Sequence, residues 1–192
     1  MSDTEAVVST IVSDNYDAGV QCAKDMMKKK TSANIIIVNQ KALNSINERV
    51  KGFRDTIKGH PQYKIVEEKE SAAEFEIAMK VMEEIIYEKK NYDVVMGGND
   101  PIALGCIAAM QMTDKTDQVM VYGVDGSPDG KAMIKAGFLE GTAAQSPIKI
   151  GEKAVQTAYS YLAGETVKKH VTIPVELITA DNLKLYDMTG WQ

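Results

Sequence analysis

The chain has 192 residues, of which 44% are hydrophobic and 26% charged, as in a globular domain large enough to bury a core. Its net charge is -5, and Lys and Arg are interspersed with acidic residues, so no basic stripe exists to neutralise a nucleic-acid backbone. No apolar run approaches the length of a membrane-spanning helix, and residues 1–5 have neither the basic start nor the apolar middle of a signal peptide. The sequence therefore predicts a soluble domain that does not bind nucleic acid and, as written, begins without a targeting segment.

Short β-rich segments alternate with longer helical patterns along the whole chain. Strands are predicted at residues 7–12, 34–38, 63–67, 93–96, 119–122, 141–144 and 171–179. Helical patterns lie between these strands. The alternation predicts an α/β fold, a doubly wound parallel sheet with helices on both faces.

Four of the predicted helices carry capping signals at their starts. Two have the spacing of a capping box, and two place a capping residue before a proline at the first helical position. The four pairs are Ser45 with Glu48, Ser71 with Glu74, Asp100 with Pro101, and Ser127 with Pro128. We therefore expect Asp100 to cap a helix and not to bind a ligand.

Residue types that carry catalysis or bind metals are few. Cys22 and Cys106 lie in helical patterns among small apolar residues, which predicts thiols packed in the core, with no metal site and no disulfide framework. His60 and His170 lie in polar loop segments without a neighbouring nucleophile or orienting partner. Nucleophile-elbow, Walker and dinucleotide motifs are missing. The sequence therefore predicts no enzyme, no metal and no cofactor, with a carboxylate-pair glycosidase as the catalytic alternative that it leaves open.

Polar side chains follow three of the predicted strands, where ligands of an open parallel sheet bind. Asn99 follows the fourth predicted strand, Asp125 the fifth and Gln145 the sixth. Amides both donate and accept hydrogen bonds, and a carboxylate accepts them, so the set suits the hydroxyl groups of a sugar or polyol. The alternative is that the Asx residues, which are flanked by glycine, only form turns.

Arg49 is the fourth candidate. It lies in the second turn of a predicted helix, where a solvent-exposed charge is the ordinary interpretation. From the start of that helix, however, its guanidinium group could reach back over the ends of the strands.

Five short motifs follow one another along the chain: Ser13-Asp14-Asn15 with Ala18-Gly19, Arg49-x-x-Gly52-Phe53, Asn99-Asp100-x-x-Ala103-Leu104-Gly105, Gly123-x-Asp125-Gly126-x-Pro128 and Gln145-x-Pro147-x-x-x-Gly151. In order and spacing they resemble the second lobe of ribose-type periplasmic sugar-binding proteins, a type 1 periplasmic-binding-protein-like lobe. The effector-binding domains of lactose-repressor-type regulators share this pattern. The resemblance implies that Arg49, Asn99, Asp125 and Gln145 hydrogen-bond the hydroxyl groups of a sugar.

Two departures from the family pattern matter. Ribose binders stack aromatic rings on the sugar at positions where this sequence has Val124 and Ser71-Ala72-Ala73, so the identity of the sugar stays open. The chain also starts where the second lobe starts. The resemblance implies that residues 1–147 form the C-terminal ligand-binding lobe, that residues 148–170 form a hinge-crossing helix belonging to a missing N-terminal lobe, and that residues 171–192 form a return strand and tail.

The function implied by the resemblance is non-catalytic binding of a sugar or polyol by a component of an ABC transporter. In its full-length form such a protein lies in the periplasm or is lipid-anchored outside the cytoplasm, and it delivers the ligand to a membrane permease. The tail at residues 177–182 favours this interpretation. The alternatives are the effector-binding domain of a lactose-repressor-type regulator and the periplasmic sensor lobe of a signalling receptor.

The helix predicted over residues 148–164 has an apolar stripe that needs a partner surface. The stripe consists of Ile150, Ala154, Val155, Ala158 and Leu162. Without the first lobe, we expect a homodimer to cover it, either by symmetric pairing or by exchange of the helix between two chains. The alternative is a helix that folds back on its own lobe.

Overall fold

The computed structural model describes residues 6–113 and 119–191. The segment 1–5, which was predicted above not to be a signal peptide, lies outside these residues. In chain order the elements are β1 (Thr10–Ser13), α1 (Asn15–Lys29), β2 (Ala33–Asn39), α2 (Asn44–Ile57), β3 (Tyr63–Glu70), α3 (Phe75–Tyr87), β4 (Val94–Gly97), α4 (Asp100–Gln111), β5 (Met120–Asp125), α5 (Pro128–Ala136), β6 (Gly141–Ala144), α6 (Pro147–Leu162), β7 (His170–Ile173) and β8 (Glu176–Thr179), followed by the short 3-10 helix Leu183–Leu185.

A six-stranded sheet with the order β3-β2-β4-β5-β6-β8 forms the centre of the fold. Its first five strands are parallel, and β8 runs antiparallel to β6. Strands β2 and β4 are apolar and almost entirely buried, as expected for parallel strands covered on both faces. Helix α1 packs against α2, and α3 packs against α4. These findings confirm the predicted α/β fold with a mostly parallel sheet flanked by helices.

The last predicted strand, at residues 171–179, is two strands in two different sheets. Strand β7 pairs in parallel with β1 in a separate two-stranded sheet, and β8 joins the main sheet. Pro174 lies between them. Because proline lacks a backbone N–H and has a fixed φ, it interrupts strand pairing at the point where the chain passes from one sheet to the other.

The two predicted capping boxes are wrong. Helix α2 begins at Asn44, so Ser45 is its second residue and cannot occupy the cap position. Helix α3 begins only at Phe75, after Glu74, and Ser71 instead donates its hydroxyl to the carbonyl oxygen of Asn39 at 3.4 Å.

The two starts that contain proline are helical starts, but they differ in their caps. Ser127 caps α5 as predicted, since its Oγ accepts a hydrogen bond from the Gly130 amide at 3.0 Å. At α4 the cap is Asn99, whose Oδ1 accepts from the Ile102 amide at 2.9 Å, and Asp100 is already the first helical residue. The prediction that Asp100 acts as a cap is therefore wrong by one position.

One continuous core fills the space between the main sheet and its helices. It contains the free thiols of Cys22 and Cys106, both fully buried, which confirms that they pack in the core. In the described part of the chain, no helix combines the length and apolar character needed to cross a bilayer.

Candidate ligand-binding site

The carboxyl ends of the parallel strands meet at one edge of the main sheet. Asp125 is the last residue of β5 and pairs with Ala144 of β6, so Gln145 follows directly beside it. The Gln145 amide Nε2 donates to Asp125 Oδ1 at 2.7 Å. Its other atom, Oε1, accepts a hydrogen bond from the Ser13 hydroxyl at 2.8 Å. Gln145 therefore connects the end of β5 with the end of β1.

Arg49 reaches this edge from the second turn of α2. Its side chain is only 5% exposed, so the interpretation as a solvent-exposed charge is wrong. Nη1 donates to the carbonyl oxygen of Gly98 at 2.8 Å and lies 3.4 Å from Asp125 Oδ1, and Nε donates to Asn15 Oδ1 at 2.9 Å. The guanidinium group therefore joins the ends of β4 and β5 to the start of α1.

Asn99 lies next to this network and not within it. Its Oδ1 caps α4, as described above, and its Nδ2 donates to the carbonyl oxygen of Ala73 over a long 3.4 Å. The structure thus brings Arg49, Asp125 and Gln145 together, while the amide of Asn99 is directed to α4 and to the loop before α3.

Ser13 and Asn15 were not among the predicted site residues, although both take part in the network. Ser13 ends β1 and Asn15 begins α1, and the Asn15 amide donates to the Ser13 carbonyl at 3.1 Å. Their only signal in the sequence was the Ser13-Asp14-Asn15 motif. A short polar motif of this kind is equally typical of a helix start, and Asp14 does cap α1.

Burial controls the ionisation of the two charged groups. It raises the pKa of Asp125 to about 6, and the negative charge of Asp100 adds to the increase. The Arg49 charge and hydrogen bonds from Gln145 and the Asp100 backbone amide oppose that increase. Burial also lowers the pKa of Arg49, against the attraction of both carboxylates. A ligand hydroxyl that donates to Asp125 would therefore stabilise a carboxylate that is poorly solvated.

An open cleft of about 510 Å³ lies beside the network. Both polar and aliphatic residues line it, including Ser13, Asn15, Arg49, Gln145, Leu43 and Ile150. Within the described part of the chain, its lining includes neither Asn99 nor Asp125. Among the same described residues, no group of three or more His, Cys, Asp or Glu side chains is placed to hold a metal ion.

Comparisons with known proteins identify the family. Residues 2–166 match the family model described as a periplasmic binding protein domain. The ribose import binding protein of Salmonella typhimurium is 31% identical over 175 residues, which cover 90% of this chain and 58% of that protein.

Two solved structures have the same fold. An ABC transporter solute binding protein from Bacillus halodurans with bound myo-inositol is 26% identical, with a TM-score of 0.88 over 93% of this chain and 63% of that one. A Caulobacter myo-inositol binding protein is 27% identical, with a TM-score of 0.87 over 96% and 64% of the two chains. This chain therefore spans less than two thirds of the length of each relative. All three relatives are named as binding proteins, and the chain itself belongs to the periplasmic binding protein domain family.

Proposed function

We propose that this chain binds a small sugar or polyol without catalysis, as the C-terminal half of a solute-binding protein of an ABC transporter. The observation that carries the proposal is the Arg49–Asp125–Gln145 network, in which Arg49 and Gln145 line an open cleft and both contact Asp125. It combines a cationic donor, an anionic acceptor and an amide that both donates and accepts hydrogen bonds. This set matches the sugar hydroxyls, each of which is a donor and an acceptor. The relatives named for ribose and myo-inositol support the same class of ligand.

Each candidate residue has a distinct part in this proposal. Asp125 accepts from a ligand hydroxyl, Arg49 donates through its fork of N–H groups, and Gln145 contributes one donor and one acceptor. Asn99 keeps its Oδ1 on α4, so we assign its Nδ2 to the ligand, because the contact of this atom with Ala73 is long. Closure on a ligand would strengthen these contacts by excluding water.

The whole protein would contain a second lobe that completes the pocket. Helix α6 has no buried residue within the described chain, and β1 and β7 form a sheet of only two strands. We infer that residues 148–170, which the resemblance assigns to a hinge-crossing helix, pack on an N-terminal lobe, with residues 1–147 as the C-terminal lobe and 171–192 as return strand and tail. The helix itself is shorter than expected, because α6 ends at Leu162 and β7 begins at His170. The permease and a periplasmic or lipid-anchored location belong to that full-length protein.

In the isolated chain we propose that a second copy covers α6. Two-fold pairing buries the same apolar face on both chains and is the commonest closed assembly.

The test is calorimetry with D-ribose, D-allose and myo-inositol, on both the full-length protein and the 192-residue chain. In the full-length protein, a ligand at about 100 times its dissociation constant should add about 2.7 kcal/mol of apparent stability. Asp125→Ala should abolish binding. The matched control is Asp129→Ala, which removes an exposed carboxylate in α5 outside the network.

The isolated chain should bind in the millimolar range or more weakly, because half of the pocket is missing.

Unchanged affinity in Asp125→Ala, or equal loss in the Asp129→Ala control, would remove the network from the binding site. Micromolar binding by the isolated chain would contradict the proposal that its site is half of a pocket.

A further inference from the structure

Asp100, which has no assigned ligand role, is fully buried at the first position of α4. Its carboxylate accepts three hydrogen bonds from other parts of the fold. Oδ2 accepts from the amide of Ser127 at 2.9 Å and from its hydroxyl at 2.7 Å, and Oδ1 accepts from the hydroxyl of Thr142 at 2.6 Å. Asp100 therefore ties the start of α4 to the loop after β5 and to β6.

The loop that Asp100 holds contains unusual backbone conformations. Asp125 has a φ of +149°, a region that residues with a side chain rarely adopt, and Gly126 has a φ of +72°. The Gly126 amide donates to Thr142 Oγ1 at 3.0 Å. The Thr142 hydroxyl thus accepts from the strained turn and donates to Asp100, so one side chain links the two.

Two glycines provide the space for this carboxylate. A Cβ added at Gly123 of β5 would lie 2.4 Å from Asp100 Oδ1, and one added at Gly130 of α5 would lie 2.5 Å from Oδ2. Both distances are far below a van der Waals contact. The carboxylate is therefore enclosed by the strand and helix on either side of the turn.

We propose that Asp100 is a positioning residue for the ligand site, which acts through Thr142 and Ser127 to hold residues 125–127 in the conformation that presents the Asp125 carboxylate. The inference rests on the proposed function for its purpose, since Asp125 is the acceptor assigned to the ligand. An asparagine at position 100 would turn its NH₂ group toward the Thr142 hydroxyl, which would then have to direct its own hydrogen away from residue 100.

Thr142 is the best position at which to disrupt the hydrogen bonds of Asp100, since its substitution changes no charge near Asp125. Thr142→Val removes the hydroxyl at nearly constant volume, and Thr142→Ser keeps the hydroxyl as the matched control. The readouts are amide hydrogen exchange by NMR and the pH titration of the Asp125 side-chain carbon, both measured on the 192-residue chain without ligand.

In Thr142→Val we expect the amides of Gly126 and Ser127 to exchange at least about tenfold faster, while amides of β2 change by less than about twofold. Ser127 is the decisive amide, because it bonds to Asp100 and not to Thr142. The Asp125 midpoint should move by at least about half a pH unit as its surroundings change. Thr142→Ser should restore both readouts.

Unchanged exchange at Ser127 together with an unchanged Asp125 titration would overturn the proposal. Exchange that rises equally at the turn and in β2 would also overturn it, because it would show general destabilisation. If Thr142→Val does not fold, Ser127→Ala removes one hydrogen bond to Asp100 together with the cap on the Gly130 amide, and it should accelerate exchange at Gly126 about threefold. An unchanged exchange rate at Gly126 in that variant would contradict the positioning role of Asp100. Neither readout uses a ligand. A protein that binds no sugar would therefore contradict the proposed function, while the exchange and titration results would still test the role of Asp100.

Discussion

The carboxyl edge of the main sheet and helix α6 both depart from the usual pattern in which charged side chains are exposed and apolar side chains are buried. At the edge, the charged side chain of Arg49 is buried and hydrogen-bonded. In α6, apolar residues are exposed, with Tyr159 at 72% and Leu162 at 80%. Arg49 thus has its hydrogen-bond partners within this chain, whereas the apolar side chains of α6 are not covered by the described residues. The charged side chain at this edge is therefore held by the chain itself, while α6 could bury its apolar side chains only against another surface.

The packing of the helices explains the difference. Helices α1 and α2 approach each other through glycines, since a Cβ on Gly19 would lie 1.8 Å from the Arg49 carbonyl oxygen and one on Gly52 would lie 2.0 Å from that of Tyr16. This close approach places α2, and with it the Arg49 side chain, over the strand ends. A Cβ on Gly151 in α6 would meet nothing within 4 Å.

The largest expected effect is that of Gly19→Ala. Because the new methyl group would meet backbone atoms of α2, the two helices must separate, and we expect a loss of about 3 kcal/mol or more in the free energy of unfolding. Urea unfolding followed by circular dichroism measures this loss. A variant as stable as the wild type would show that the packing of α1 on α2 is loose and does not position Arg49.

A smaller effect concerns the pH dependence due to Asp125. Its pKa in the folded chain is about 6, above its ordinary value, so its contribution to stability is complete below pH 4 and is lost as the pH rises through 6. The stability of the wild type relative to Asp125→Asn should therefore fall by about 2 kcal/mol between pH 4.5 and 7.5. Denaturant unfolding at both pH values gives the difference. A difference that does not depend on pH would mean that the carboxylate is well solvated.

Gly151→Ala tests α6 with the same substitution that disrupts α1. In an exposed helix interior, alanine is favoured over glycine by about 1 kcal/mol, so we expect stabilisation of up to that amount. Thermal unfolding and the helical signal in circular dichroism measure it at low protein concentration, where the proposed pairing through α6 is absent. A clear destabilisation would indicate that another surface packs closely against this position in the isolated chain.

The smallest expected effect on stability is that of Leu162→Ser. At 80% exposure the leucine contributes little to the fold, so the free energy of unfolding at low protein concentration should change by less than about 0.5 kcal/mol. Self-association at high concentration should weaken, as measured by sedimentation velocity. A wild-type chain that stays monomeric at every concentration would contradict the proposed pairing through α6.

Local patterns of the sequence were enough to predict the fold class and the positions of most strands. Apolar runs such as that of β2 predict buried parallel strands, and the Ser127-Pro128 pair predicts the start of α5, because each depends on residues adjacent in the chain. The same reasoning predicted that Asp125 and Gln145 would share an edge, since parallel strands end on the same side of a sheet.

Tertiary structure decided the features that depend on residues distant in sequence. Arg49 is buried because the carbonyl of Gly98 and the side chains of Asn15 and Asp125 surround it. Asp100 is a buried acceptor, and not a cap, because Thr142 and Ser127 bring their donors to it from other strands and loops. The final predicted strand is divided because β1 and β6 offer pairing edges in different sheets on either side of Pro174. Hydrogen bonds and strand pairings of this kind are made only when the sheet assembles, so no local pattern of the sequence encodes them.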